Sequence, residues 1–469
     1  MARVVLTHRS LLPKGPSLGA RALMLGLLLL SPGWAVADGE GTRKVTVQEA
    51  VRSTLDNNHD LAAARLEVRR ADARVSEAVG TALPRLDLSA GYTRALKKPV
   101  FFLPGDFFGE PGTVKPVQIG STNSFSGTLS ASQILFNSAV FVGVGAAKIY
   151  AKGAREIYRS KLVEVVTSSR KAYYGVLVAA EAVSLLRETL KNSEENLRTI
   201  RLLVSQGLVS EYDQLRAEVA VANIRPEVIN AENSYQLAVN NLKNIMALPY
   251  DAPLEVVGTL EYIPVPDSLI AAAQSLVLVS NPGLSGVKYA AEVSDAIVSA
   301  QKSEYLPVLS LFGNYQYQAQ KNDMAFTNHD WIASSLVGLQ LSMNIFNGLQ
   351  TTARVEQAQL DYHRAEEQVA QVTQTLQSST EAVILQLNRA RLRIEAQGKT
   401  VEQADRGYRI ATSRYASGLG TLLEVNDAQL AQIRAGVNRI QAVYDYTVST
   451  ADLDQLLGRL PDYVPAQEN

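Results

Sequence analysis

The sequence predicts an internally duplicated α+β membrane protein, in which strands of membrane-spanning length alternate with very long helices. Three observations predict this fold class. They are a repeat at a constant offset, four segments of roughly ten residues with alternating polarity, and two heptad patterns that run from Leu162 to Val204 and from Val355 to Ala411. The elements follow in chain order below.

The repeat links the two halves of the chain. Asn58 recurs as Asn281, and a Leu-Pro-x-Leu-x-Leu motif at Leu83 recurs at Leu306, both at an offset of 223 residues (281 − 58 and 306 − 83). A period above two hundred residues is too long for a solenoid unit and indicates one large duplicated unit. The predicted repeats are 38–265 and 266–469.

Residues 1–37 are predicted to form a secretory signal peptide. Basic residues precede the apolar run 22–30, and Ala35-Val36-Ala37 forms an A-x-A cleavage pattern. The alternative is an uncut signal anchor, which is disfavoured because the run is well short of the ~20 residues that a spanning helix needs. No other uncharged stretch is expected to approach that length, so the mature chain should leave the cytoplasm without a transmembrane helix.

Composition excludes several classes of function. The net charge of −1 provides no basic stripe for nucleic acid. The absence of cysteine excludes disulfides, thiolate metal sites and a lipid-bearing cysteine. Beyond the signal, the three histidines at 59, 329 and 363 lie in unrelated segments, so no metal site, cofactor or enzyme activity is expected.

Four segments alternate apolar residues with small or polar ones. They are 85–98 and 121–136 in the first repeat, and 308–319 and 331–346 in the second. Their length suits a tilted membrane strand, with lipid on one face and water on the other. The alternative is two soluble hairpins packed on a core, and the strand pattern alone does not separate the two.

The helices favour the membrane interpretation. Long helices are predicted over 138–204 and 348–416, and neither contains proline. The first carries a heptad of Leu162, Ser169, Val176, Val183, Leu190, Leu197 and Val204, and the second repeats from Val355 to Ala411 with Gln397 as a polar exception. A sustained heptad indicates coiled-coil packing. Helices of this length extend for about 100 Å.

Each long helix is predicted to stop at a glycine corner and to return. Gly207 and Gly418 supply the left-handed residue that ends a helix, and Ser210 and Thr421 are suited to cap the next one. Pro226 should bend the first return helix. The predicted return helices are 209–247 and 421–458, with a linker over 249–265.

Four membrane strands do not close a barrel, because the smallest membrane barrels have about eight strands. Open strand edges are not tolerated in lipid. If these strands span a membrane, the barrel must therefore be shared between subunits.

Four features together resemble a known family: the duplication, the strand entries, the Phe-Asn strand exits, and the glycine corners with their following acids. By these features the mature chain resembles the TolC-like outer-membrane efflux proteins. The resemblance implies a homotrimer whose twelve-stranded barrel, with four strands per subunit, sits in outer-membrane lipid. It implies that a long coiled-coil tunnel continues the barrel through the periplasm. The implied role is a passive export duct that docks to a periplasmic adaptor and an inner-membrane pump.

The resemblance also implies roles for residues at the tunnel tip. The implied gate and pore residues are Asp213, Tyr415, Glu424 and Asp427. The implied adaptor-docking corners are Gly207, Leu208, Val209, Ser210, Gly418, Leu419, Gly420 and Thr421. An arginine typical of the best-known member of the family would fall at Gly420, which leaves Arg414, Arg201 or Arg216 as substitutes.

The same residues can be interpreted without the family. Three copies of Glu424 and Asp427 around an axis would form acidic rings that favour cations. Alternatively, Asp213 and Glu424 are first-turn acids that face a helix dipole. A non-transporting structural or adhesive coiled-coil protein remains an alternative function, whereas a periplasmic adaptor would not need four membrane-length strands.

Overall fold

The second half of the chain repeats the order of helices and strands in the first half, with one hairpin fewer. A computed structural model describes residues 43–324 and 330–464. The predicted signal, His329 and the last five residues lie outside these ranges. The elements of the first half are β1 (Arg43–Val45), α1 (Val47–Asn57), α2 (His59–Gly80), β2 (Arg85–Arg94), β3 (Val100–Pro104), β4 (Val114–Gln118), β5 (Asn123–Phe136), α3 (Ser138–Ser205) and α4 (Glu211–Ile245). Those of the second half are β6 (Leu254–Val256), α5 (Asp267–Ser280), α6 (Pro282–Lys302), β7 (Val308–Lys321), β8 (Ile332–Ser342), α7 (Gln350–Ala416) and α8 (Leu422–Leu456).

The long strands form one antiparallel sheet in the order β2-β5-β7-β8. Because side chains two residues apart share a face, the register separates an apolar face from a polar one. The apolar face carries Leu86, Leu88, Tyr92, Leu129, Leu309, Leu311, Tyr315, Tyr317, Leu339 and Leu341. The polar face carries Ser89, Thr93, Ser124, Ser126, Thr128, Ser130, Asn314, Gln316, Gln318 and Gln340. Every residue of β2 is exposed, which does not fit a soluble hairpin packed on a core.

Several predicted bounds differ from those in the structure. β2 ends at Arg94 rather than at 98, and the chain then enters the β3–β4 hairpin. β8 spans 332–342 rather than 331–346. α7 begins at Gln350 rather than 348, since Gly348 and Leu349 both have left-handed backbones.

The region 99–120, predicted as a loop, contains the β3–β4 hairpin. Pro104 and Pro116 obscured its alternation in the sequence. A two-stranded hairpin accommodates proline because its outer edges form no ladder hydrogen bonds. The first return helix, α4, runs from Glu211 to Ile245 through Pro226 without interruption.

The expectation that no other uncharged stretch approaches membrane length is wrong. Residues 268–287 carry no charge, and Asp267–Tyr305 is long and apolar enough to cross a membrane by length and composition. In the fold, however, Asn281 has an extended backbone that separates α5 from α6. Ala273, Val277 and Leu284 pack in a core cluster with residues of α7 and α8.

Two asparagines at equivalent places in the two halves each join two helices through the same pair of hydrogen bonds. The Asn58 side chain accepts from the Leu61 N–H (3.1 Å) and donates to the Ile245 carbonyl at the end of α4 (3.2 Å). Asn281 accepts from the Leu284 N–H (2.8 Å) and donates to the carbonyl of Leu456, at the end of α8 (2.8 Å). Each asparagine therefore caps one helix and fastens a return helix to it.

The heptad of α3 is the buried seam of that helix. Leu162, Val176, Val183 and Leu197 are all buried. The polar member, Ser169, is 0% exposed, and its hydroxyl lies 3.0 Å from the Thr54 hydroxyl of α1. The hydrogen bond explains how a polar side chain is accommodated in the seam.

Leu387→Ala should lower stability by about 2–5 kcal/mol, because it leaves a cavity in a core cluster. Leu387 is 0% exposed, whereas its neighbour Gln386 is exposed. Thermal denaturation followed by circular dichroism measures the change, with Gln386→Ala as the control. Equal midpoints for the two variants would contradict this core assignment.

Candidate functional site at the helical corners

The corner between α3 and α4 is a glycine-terminated helix end. Gly207 has a left-handed backbone (φ 70°). The Leu208 N–H donates to the Leu203 carbonyl (2.9 Å), and the Gly207 N–H donates to the Val204 carbonyl (2.9 Å). This pair of bonds satisfies carbonyls that the helix end leaves open.

The corner between α7 and α8 repeats the same turn. Gly418 has φ 74°, the Leu419 N–H donates to the Arg414 carbonyl (2.9 Å), and the Gly418 N–H donates to the Tyr415 carbonyl (3.0 Å). The predicted caps are confirmed as well. The Ser210 hydroxyl accepts from the Asp213 N–H, and the Thr421 hydroxyl accepts from the Glu424 N–H, both at 3.3 Å.

Asp213 and Glu424 occupy the same position, the third residue of a return helix, but face different partners. The Asp213 carboxylate accepts a hydrogen bond from the Ser210 hydroxyl (2.8 Å). The Glu424 carboxylate lies 3.8 Å from the Arg414 guanidinium. Both also suit the positive end of the helix dipole, so the geometry accommodates the first-turn interpretation. Asp427 lies one turn further along, and the structure records no partner for this exposed residue among those it describes.

Tyr415 connects the two corners. It packs against a cluster to which all four long helices contribute: Leu197, Ile200, Ala217, Val221, Ala411, Leu422 and Val425. Its hydroxyl is buried and has no hydrogen-bond partner among the described residues. Burial raises the pKa of this hydroxyl, and the nearby Asp213 carboxylate raises it further. The charge of the predicted gate aspartate thus reaches the predicted gate tyrosine.

Of the three arginines that the sequence left as substitutes, Arg414 is the one that lies at the second corner. Its guanidinium donates to the Leu419 carbonyl (3.0 Å) and faces Glu424 across the second corner. A Cβ at Gly420 would lie 3.1 Å from both the Arg414 Cβ and the Glu424 carboxylate. Glycine at 420 thus leaves room for the arginine and the acid to approach each other.

The other two arginines have different partners. Arg201 donates to Glu218 (2.9 Å) and holds the pKa of that carboxyl below its usual value. Arg216 lies over the ring of Tyr212, with its guanidinium carbon 5.6 Å from the ring centre. The Arg201–Glu218 pair joins α3 to α4 across the first corner, whereas the Arg216–Tyr212 contact stays within α4.

Sequence reasoning missed a groove beside the corners. It has a volume of about 460 Å³ and lies between α4 and α8, where Leu215, Val219 and Leu430 line it. The four-residue spacing from Leu215 to Val219 places both side chains on one helix face and was the available signal. The heptads of the longer helices are a stronger periodic signal than this spacing.

Comparisons with known proteins agree with this architecture. Residues 50–248 and 273–459 match the family model described as outer membrane efflux protein. The alkaline protease secretion protein AprF of Pseudomonas aeruginosa is 24% identical over 345 residues, which cover 72% of this chain and 71% of that protein. The outer membrane protein TolC of Vibrio cholerae is 24% identical over 343 residues, which cover 72% and 77%.

Solved structures share the fold. The outer membrane channel CmeC of Campylobacter jejuni superposes with a TM-score of 0.72 at 21% identity, covering 88% of this chain and 85% of that one. VceC of Vibrio cholerae gives 0.73 at 18% identity, covering 88% and 96%. The resemblance predicted from the sequence is confirmed, and the chain belongs to the outer membrane efflux protein family.

Proposed function

We propose that three copies of this outer-membrane export channel form one duct, with a shared twelve-stranded barrel continued by a helical tunnel. The observation that carries the proposal is the four-stranded sheet with β2 and β8 at its edges. Four strands do not close, and an unpaired edge is costly in hydrocarbon. Pairing β2 of each copy with β8 of the next satisfies all of these edges.

The two faces of the sheet support the same arrangement. The leucines and tyrosines of the apolar face suit lipid, and the serines and glutamines of the polar face suit a water-filled lumen. A non-transporting coiled-coil protein, the alternative function, would have no use for a polar inner wall. The sheet therefore favours transport.

The helices provide the periplasmic part of the duct. α3 and α7 have 68 and 67 residues, so each extends for about 100 Å. We propose that the two repeats, 38–265 and 266–469, supply equivalent helix pairs to the tunnel wall. The matching capping bonds of Asn58 and Asn281 support this duplication.

The proposed partners are a periplasmic adaptor and an inner-membrane pump that meet the corners. Leu208 and Leu419, at the same place in the two turns, are 67% and 74% exposed. Exposed leucines at a turn geometry that both corners share suit a protein contact. The relatives are named for alkaline protease secretion and for efflux, so the duct serves a type I secretion system or a tripartite efflux system.

The proposed gate is the tip itself. Tyr415 lies within the electrostatic influence of Asp213, Arg414 braces the second corner through Glu424, and three copies of Asp427 would line the opening. Reconstitution into planar bilayers tests the whole proposal. The expected result is a conducting trimer, whereas a monomer that never conducts would contradict it.

Asp427→Asn should weaken the block of conductance by multivalent cations on the order of tenfold, because one substitution removes three carboxylates from the ring. Bilayer recordings with added multivalent cations measure the effect. Glu402→Gln removes an exposed acid from α7 and should leave the block unchanged. Unaltered block in Asp427→Asn would refute the ring.

Arg414→Ala should favour the open tip. An exposed ion pair contributes about 0.2–1 kcal/mol. Loss of three such pairs should therefore raise the open-to-closed ratio about three- to hundredfold. Single-channel recordings measure that ratio. Arg409→Ala, an exposed arginine of the same helix, is the control. If both variants behave like the unmodified protein, Arg414 is not part of the gate.

A further inference from the structure

The apolar face of the sheet ends in a cationic row at the end away from the long helices. Arg94 lies opposite Asn123, and Asn123 lies opposite Lys321. All three continue the apolar face, because each lies two positions along its strand from Tyr92, Phe125 or Ala319. The positive charges of Arg94 and Lys321 thus lie one row beyond the aromatic side chains of the apolar face.

A groove lies just inside this row. Its volume is about 440 Å³, and two aromatic pairs and Gly127 contribute to its lining. Tyr92 stacks on Phe125 with ring centres 4.9 Å apart, and Tyr317 stacks on Trp331 at 5.1 Å. Since Gly127 has no side chain, the space beside Tyr317 stays open. The groove has the lining expected of a site for an alkyl chain.

Hydrogen bonds hold this groove in shape. The Tyr92 hydroxyl donates to the Asn123 side-chain oxygen (2.9 Å). The Asn123 amide donates in turn to the backbone carbonyls of Asn322 (3.3 Å) and Asp323 (2.9 Å). Phe125 is only 4% exposed. The aromatic pair is therefore fixed before any ligand arrives, which reduces the entropy lost on binding.

The orientation of the barrel sets the depth of this site. α3 directly follows β5, so the tunnel leaves the sheet at the opposite end from Arg94. With the tunnel in the periplasm, the cationic row lies at the outer leaflet. The apolar face remains directed at lipid after β2 and β8 pair with neighbouring copies. This placement rests on the proposed barrel.

We propose that the outer end of the apolar face binds a phosphate-bearing lipid of the outer leaflet. The acyl chain occupies the groove between the two aromatic pairs, and the headgroup phosphate meets Arg94 and Lys321. Aromatic rings favour the boundary between hydrocarbon and headgroups, and cations there attract anionic lipid. A free phosphate ion would gain only the second of these contacts.

Trp331 provides a reporter inside the site. The chain has two tryptophans, and because Trp34 belongs to the predicted signal peptide, Trp331 is the only one expected in the mature protein. This protein is reconstituted into phosphatidylcholine vesicles that contain either brominated phosphatidylglycerol or brominated phosphatidylcholine. Bromine quenches tryptophan on contact, so the quenching curves report the relative affinity of each lipid for the groove.

The expected result is a preference for the anionic lipid on the order of tenfold. Arg94→Gln should reduce the preference, and Arg94→Gln combined with Lys321→Gln should bring it close to one. Arg85→Gln is the matched control. Arg85 lies at the other end of β2, on the polar face, and pairs with Asp87 (2.8 Å). This control should retain the full preference.

Other outcomes overturn the proposal. Equal quenching of the unmodified site by both lipids would exclude headgroup recognition. Loss of the preference in millimolar inorganic phosphate would identify a site for the free anion instead. Conductance is recorded from the same preparations. A protein that forms no pore contradicts the proposed duct, whereas a conducting trimer without lipid preference overturns the lipid site alone.

Discussion

The hydrogen-bonding requirement of two strand edges dominates this molecule. A sheet of four strands with apolar and polar faces has a place in a membrane only when β2 and β8 find partners. In the proposed duct a second copy offers the complementary edge. The long helices would follow from the same constraint, because helix pairs attached to a closed ring of strands form a tube.

The two corners share a backbone geometry but differ in their side chains. Both turns use the same glycine geometry and the same capping bonds, so the backbone treats them as equivalent. Their side chains differ where Leu203 and Val204 of one corner correspond to Arg414 and Tyr415 of the other. In the proposed duct the repeated backbone builds the wall, and the unmatched polar side chains form the proposed gate.

Long periodic signals made much of the fold predictable. The heptads extend over many turns, and the buried positions of α3 follow them, including Ser169, whose partner Thr54 lies on another helix and was therefore invisible in sequence. The β3–β4 hairpin was missed because prolines interrupt a five-residue pattern. Arg201 and Arg414 each pair with a carboxylate across a corner, and which carboxylate each reaches is a property of side-chain contacts rather than of spacing.

The break between α5 and α6 has a consequence for biogenesis. An outer-membrane protein must first be translocated across the inner membrane, where uncharged apolar segments tend to partition sideways into lipid. Residues 268–287 would pose that hazard as one continuous helix. The Asn-Pro-Gly sequence at 281–283 weakens the apolar character of this stretch and interrupts its helix. The asparagine that fastens a return helix in the mature fold therefore lies at the point where a helix of membrane-spanning length would be interrupted.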